Sequence, residues 1–286
     1  MNTIPEILIN NELSMPVLGL GTWEMGGRQS PDTTEDSKWI HAIETAIGLG
    51  VKHIDTAAIY AGGHTEHLVA EAIKNFDRSS YFITTKVSGN NLQFGEVIRS
   101  AKASRNRLGI DQIDLLLLHW PNPEVPISQT ISAINKLLDD KVIRYFGLSN
   151  FPVELMHEIA YYTDAPIITN QVEYNLFTRN KASYNDHIES EIIPWCLKNS
   201  ISITAWRPVM KGDVAQANHP ILVALAEKYA KTPFQIALNW LVSKPQMMAI
   251  PKMSSEQHIK ENIEAVQFKM EESDILTLDS ICEKSV

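Results

Sequence analysis

The chain has 286 residues, with 25 basic against 34 acidic side chains, a formal charge of -9 and a 44% hydrophobic content. With no cluster of Lys and Arg, that balance excludes a phosphate backbone or an anionic membrane surface as the natural partner, and the apolar content is that of an ordinary globular protein. Two cysteines, Cys196 and Cys282, are too few for a disulfide framework, and the opening MNTIPEILINNELSMP has neither the basic nor the apolar region of a secretory leader. The expected setting is the cytoplasm, with reduced thiols. No apolar run reaches the roughly 18 residues of a membrane-spanning helix.

The first expected element is a hairpin: ILI, then Asn10 and Asn11 in a turn that tolerates positive φ, then a second short strand. Beyond it, short apolar runs bounded by turn residues alternate with segments of helical period, which is the pattern of repeated βα units and a parallel sheet. The runs fall at 17–21, 52–55, 81–86, 113–119, 142–149, 167–173, 201–206 and 247–251. Helices are expected between them at 37–49, 66–75, 94–108, 128–138, 152–161 and 233–242, with a final amphipathic segment at 273–281. Ser149 or Asn150 is positioned to cap the helix that begins near Pro152, and Thr232 before Pro233 repeats the arrangement.

No linker or low-complexity tract divides the chain, so residues 1–286 read as a single domain. Eight strand runs predict an α/β fold, a (β/α)8 TIM barrel whose bottom the N-terminal hairpin caps. The alternative is a doubly wound open sheet. Its dinucleotide signature is incomplete, because Gly19 and Gly21 begin it but Glu24 stands where the third glycine belongs.

In a barrel of this kind the working groups project from the C-terminal ends of the strands. The second run ends in Asp55, followed shortly by Tyr60; the third ends in Lys86; the fourth ends in His119, followed by Trp120. Taken singly, such an Asp caps a helix, a Tyr packs and a His hydrogen-bonds in a core; together the four face one mouth. A free phenol, with a pKa of about 10, is a poor acid until a cation stabilises its phenolate, and Lys86 supplies that cation. Asp55 holds the ammonium charged despite burial, and His119 orients a carbonyl or shares in proton transfer. Tyr60 is then the expected proton donor in a carbonyl reduction, and the hydride requires a cofactor. Lys86 also admits another reading, the Schiff-base lysine of a barrel aldolase, against which Asp55 counts because it keeps the amine protonated.

The ordered motifs GVKHIDTAAIY (50–60), ITTKV (83–87), LLLLHWP (115–121), GLSNF (147–151), NQVEYN (170–175) and IPK (250–252) resemble the aldo-keto reductase family, over nearly the whole chain. The resemblance implies NAD(P)H bound across a barrel mouth, NADPH preferred, and reduction of aldehydes or ketones to alcohols. By it, Asp55, Tyr60, Lys86 and His119 correspond to the catalytic tetrad, with Tyr60 as general acid. Ser149, Asn150 and Gln171 correspond to the groups that hold the nicotinamide carboxamide, and Trp206 to the ring that stacks on the nicotinamide, unless it only packs at the rim. Lys252 resembles the partner of the adenosine 2′-phosphate. Ser255, His258, Glu261 and Asn262 fall near the adenine end, at the start of the last barrel helix, where unpaired N–H groups favour an anion. Gly21, Thr22, Trp23 and Asp55, with Arg207, Pro208, Val209 and Lys211, complete the expected cofactor contacts.

Departures from the family pattern matter too. Where NADPH-preferring members carry Ser after that lysine and Arg six residues beyond it, this chain has Met253 and His258, so discrimination for NADPH is expected to be weaker. Paired Gly62 and Gly63 lengthen the loop before Glu66. Arg207 either approaches the pyrophosphate or makes a surface ion pair. Trp23, Tyr60, His119 and Trp120 form an aromatic wall for a small-molecule carbonyl substrate. The chain stops at Val286 without the long tail that closes the pocket in many vertebrate members, so an open pocket is expected, in a monomer. His64 and His67 share a helical face without a third ligand nearby, so no metal is expected. A cofactor-binding sensor with little turnover is the alternative from another functional class.

Overall fold

The structure, a computed structural model, describes residues 3–10, 13–209, 212–213 and 218–281. Strands β1 (Glu6–Ile9) and β2 (Leu13–Pro16) pair antiparallel. Asn10, at φ 50, takes the left-handed conformation that the turn needs, and Asn11 lies outside the described residues. Eight parallel strands follow: β3 (Gly19–Gly21), β4 (His53–Asp55), β5 (Phe82–Val87), β6 (Ile113–Leu118), β7 (Ile143–Ser149), β8 (Ile167–Glu173), β9 (Ser202–Trp206) and β10 (Met247–Ala249). They are hydrogen-bonded in chain order. The ring closes between its two ends, where the Ala249 N–H donates to the Val17 carbonyl at 2.8 Å and the Gly21 N–H to that of Pro251 at 3.0 Å. Closure needs glycine at position 21, because a Cβ there would come within 2.5 Å of the Ile250 carbonyl oxygen.

Among the described residues the α-helices are α1 (Asp36–Gly48), α2 (His64–Ile73), α3 (Phe94–Leu108), α4 (Ile127–Asp139), α5 (Val153–Ile159), α6 (Ile193–Lys198), α7 (Pro220–Tyr229), α8 (Pro233–Val242), α9 (Glu256–Ala265) and α10 (Glu272–Asp279). Thr232 caps α8 as expected: its hydroxyl accepts from the Gln235 N–H at 3.2 Å, and the Gln235 side chain accepts from the Thr232 N–H at 2.9 Å. The other expected cap is corrected. Ser149 ends β7 and Asn150 sits at φ 61, while α5 starts only at Val153. The Asn150 side chain therefore bonds across the mouth, to the His119 carbonyl and the Trp206 indole, and Ser149 accepts from Asn150, so neither closes the helix.

Alternation along the strands sets which side chains line the inside. Ile9, Leu13 and Met15 of the hairpin pack on Leu115, Leu117, Ile168 and Met248 inside the barrel, so the hairpin plugs its bottom. Ile83, Val87, Leu116 and Leu118 face outward into the larger core beneath the helices. Lys86 pairs in register with Leu117 and is fully buried, at the mouth end of the inner face. Among the described residues, no helix is long and apolar enough to cross a membrane.

Candidate active site

Asp55 is the last residue of β4, where it pairs in register with Thr84 of β5, and Lys86 stands two residues further along that neighbouring strand. Both are buried, and the Lys86 ammonium bonds the Asp55 carboxylate, the Thr56 carbonyl at 2.8 Å and the Tyr60 hydroxyl at 3.2 Å. Tyr60 is delivered by a tight turn, Tyr60–Gly63, in which Ala61, Gly62 and Gly63 run at φ 48, 63 and 95. His119 follows β6, its N–H bonded to the Val87 carbonyl at 2.9 Å, and its ring centroid lies 5.9 Å from that of Tyr60. The four residues expected from the strand ends are thus brought together.

The electrostatics differ from expectation in one respect. Burial pushes the Tyr60 phenol above its ordinary pKa, and the Lys86 ammonium offsets only part of that. Tyr60 is therefore held protonated rather than acidified, because desolvation of a phenolate outweighs one nearby cation. Burial acts on Lys86 in the opposite sense, but Asp55 and then Tyr60 more than reverse it and raise its pKa. A Schiff-base lysine needs a neutral amine, and this one is kept charged. Burial, with Lys86 second, drives His119 well below the usual histidine value, so its imidazole is neutral at physiological pH. Its Nδ1 is buried without a hydrogen-bond partner among the described residues.

Ser149, Asn150 and Gln171, all buried, stand beside this group and are wired into it. Gln171 Nε2 donates to the second Asp55 oxygen at 2.7 Å. Asn150 Nδ2 donates to the His119 carbonyl at 3.2 Å and to Ser149 Oγ at 3.0 Å, while its Oδ1 accepts from Trp206 Nε1 at 3.2 Å. Thr22 donates to the Asp55 carbonyl at 2.9 Å. An aromatic rim runs round the mouth: Trp23 against Tyr60 at 4.8 Å between centroids, and His119 against Trp120 at 4.5 Å.

The remaining expected contacts spread outward. Arg207 makes an ion pair with Glu173 at 3.0 Å and lies over the Trp206 ring, with buried Pro208 and half-buried Val209 following it; Lys211 lies outside the described residues. Lys252, after β10, is exposed, 3.5 Å from Glu24 and over the Trp39 ring. Ser255 caps α9, accepting from the His258 N–H at 3.3 Å, and the His258 ring bonds Ser254 at 3.1 Å. Glu261 accepts from Gln257 at 2.8 Å, and Asn262 sits half-buried on the same helix. Met253 is buried, so no polar group replaces the expected serine. His64 pairs with Asp36 at 2.9 Å, and among the described residues no group of three or more His, Cys, Asp or Glu is placed to hold a metal.

Sequence reasoning missed several supporting residues. Glu66, fully buried, accepts from Thr85 at 2.6 Å and from Arg107 at 2.7 Å, tying the helix after the Tyr60 turn to the strand that carries Lys86. Glu173 takes the Ser183 N–H at 2.9 Å and so anchors the loop after β8, from which buried Asn185 reaches the Asn150 carbonyl at 3.2 Å. Gly89 lies under Trp120, where a Cβ would collide with the indole. Glu66 and Glu173 stand in segments that the sequence singles out, but their partners are set by the fold, and nothing in the sequence marks Asn185 or Gly89.

Comparison with known proteins shows the family and the fold. The profile of the Aldo/keto reductase family matches residues 17–283. The chain is 30% identical to a methylglyoxal reductase of Escherichia coli over 277 residues, covering 96% of this chain and 93% of that protein. It superposes on a thermostable aldo-keto reductase crystallised with the inhibitor epalrestat with a TM-score of 0.90 and 36% identity, covering 96% and 99% of the two chains. An aldo-keto reductase of Klebsiella pneumoniae in complex with NADPH matches with a TM-score of 0.87 and 28% identity, covering 98% and 94%.

Proposed function

Because the chain belongs to the aldo/keto reductase family, we propose that it reduces aldehydes or ketones to alcohols with NADPH, and that Tyr60, Lys86, Asp55 and His119 carry the chemistry in one domain spanning 1–286. The observation that supports this most directly is the Lys86 ammonium bonded at once to Asp55 and to the Tyr60 hydroxyl at the barrel mouth.

The residues fit the cofactor. Ser149, Asn150 and Gln171 offer a hydroxyl and two amides to a carboxamide, and the partly exposed Trp206 ring, braced by Asn150, offers a face to a nicotinamide. The buried Asn185 Oδ1, unpartnered among the described residues, adds an acceptor beside Asn150. Lys252, just ahead of the α9 N-terminus, is suited to the adenosine 2′-phosphate. When bound, NADPH supplies the hydride that adds to the carbonyl carbon.

The protein's own groups do the rest. A neutral His119 donates an N–H to the carbonyl oxygen and orients it, while Trp23 and Trp120 wall off water. As negative charge grows on that oxygen, the Tyr60 hydroxyl gives up its proton to it, and the phenolate left behind is held by Lys86 until water returns a proton. Asp55 and Gln171 keep the ammonium in place throughout. The similarity to a methylglyoxal reductase makes small 2-oxoaldehydes the first substrates to try. The test is NADPH oxidation across a panel of small aldehydes with the wild type and Tyr60→Phe. Loss of about 10²-fold or more in kcat with cofactor binding intact is expected; undiminished turnover would remove Tyr60 as the donor.

A further inference from the structure

We propose that Glu24 sets the cofactor preference of this enzyme, by competing with the 2′-phosphate for Lys252. The inference rests on Lys252 being the phosphate partner. Glu24 follows Trp23 at the mouth, 228 residues from Lys252 in sequence, yet its Oε2 lies 3.5 Å from the Lys252 ammonium. The carboxylate is placed there by backbone geometry: Glu24 sits at φ 67, a conformation that side-chain-bearing residues seldom adopt, inside a turn closed by the Met25 N–H on the Thr22 carbonyl at 3.0 Å. Thr22 is itself fixed to the Asp55 carbonyl. On the other side, the Trp39 ring lies 5.6 Å from the ammonium and limits where it can swing. Arg28 Nε lies 3.8 Å from the other Glu24 oxygen.

A phosphate oxygen that bonds Lys252 directly does so at about 2.8 Å, which puts it within roughly 6 Å of the Glu24 carboxylate in its present position. Two anions then share one ammonium, and the phosphate has either to displace Glu24 or to bind against its field. His258, where a guanidinium is usual, directs its ring to Ser254, and Met253 is buried, so the forked donors of an arginine and the hydroxyl of a serine are both missing for the phosphate. NADH reverses the relation, because its ribose 2′-hydroxyl can donate to a carboxylate, as acidic residues do for NAD in other folds. Glu24 thus disfavours NADPH and tolerates or assists NADH.

Equilibrium binding measures this without turnover. Quenching of tryptophan fluorescence is titrated with NADPH and with NADH for the full chain, for Glu24→Gln, for Lys252→Met and for the double variant, with circular dichroism confirming the fold. Glu24→Gln should tighten NADPH by about fivefold and leave NADH unchanged or slightly weaker, and the gain should shrink at high salt, since both groups are partly exposed. Lys252→Met should weaken NADPH about tenfold more than NADH, and the Glu24→Gln gain should fall away in the double variant. If Lys252→Met discriminates between the cofactors but Glu24→Gln leaves their ratio unmoved, the role of Glu24 is overturned while that of Lys252 stands. If Lys252→Met weakens both cofactors equally, both assignments fall.

Discussion

The Lys86 ammonium joins Asp55 to Tyr60: it bonds the carboxylate on one side and stands 3.2 Å from the phenol on the other. This charge is fully buried, and it is stable only because every direction it faces holds an acceptor, the Thr56 carbonyl included. Stability and chemistry therefore share one group, and substitutions here can separate the two.

Asp55→Asn leaves the Lys86 ammonium buried and unpaired. Breaking one side of such a pair costs about 3–5 kcal/mol, so the urea midpoint should fall sharply and reduction should be lost. Adding Lys86→Met removes the stranded charge and should restore most of the stability while activity stays absent. A double variant as unstable as Asp55→Asn alone would show that the damage lies in packing and not in the uncompensated ammonium.

The directions of the shifts fix the pH profile. Tyr60 is raised above its ordinary value, mainly by burial, so the proton it donates stays in place through neutral and mildly alkaline pH. The reduction rate should be level from about pH 6 to 9 and decline only beyond the usual phenol range near 10. His119 lies well below the usual histidine value, so no limb should be seen near pH 6.5. An inflection there in kcat that vanishes in His119→Gln would mean that a charged imidazole takes part.

Much of this was legible in the chain. Strands covered by helices outside and packed within are rich in apolar residues, so runs such as IDLLLLH (113–119) stood out, and Asp55, Lys86 and His119 were conspicuous as ionisable groups at the ends of their runs. Pairings that depend on the folded ring were not legible. Glu66 meets Arg107 from a different helix, Glu173 meets Arg207 across neighbouring strand ends, and Glu24 meets Lys252 only because the first and last strands close the barrel. The direction of the Tyr60 shift was missed for a related reason: residue types name the cation beside a phenol, but only the fold sets how much water it has lost. Helix α6, entered through a π-helical turn at Ile188–Ile192, has no regular period to read.

The Tyr60 turn should be sensitive at Gly63. Its φ of 95 suits glycine, and a Cβ there would lie 2.9 Å from Nε of Arg107, which is itself held by buried Glu66. Gly63→Ala should cost about 1–3 kcal/mol and, by moving the turn that carries the phenol, lower kcat more than it changes cofactor affinity. Stopped-flow single turnovers alongside fluorescence titration distinguish this from general loosening, which would weaken both together.

His53 gives a stability prediction away from the mouth. It is fully buried on the inner face, Nε2 bonded to Thr84 at 2.9 Å and Nδ1 without a partner among the described residues, and burial lowers its pKa to about 4. The unfolded chain, with an ordinary value near 6.5, takes up a proton first as pH falls. The contribution of this residue is therefore complete above pH 6.5 and is lost progressively toward pH 4. A displacement of that size is worth about 2–3 kcal/mol between pH 7.5 and 4.5. His53→Gln offers Thr84 an amide that does not titrate; it should be less stable than the wild type at pH 7.5, and the gap should narrow or reverse at pH 4.5. His119 is depressed in both proteins and cancels in the comparison. Urea midpoints at the two pH values measure the gap, and a gap that stays constant would mean that His53 is protonated inside the barrel.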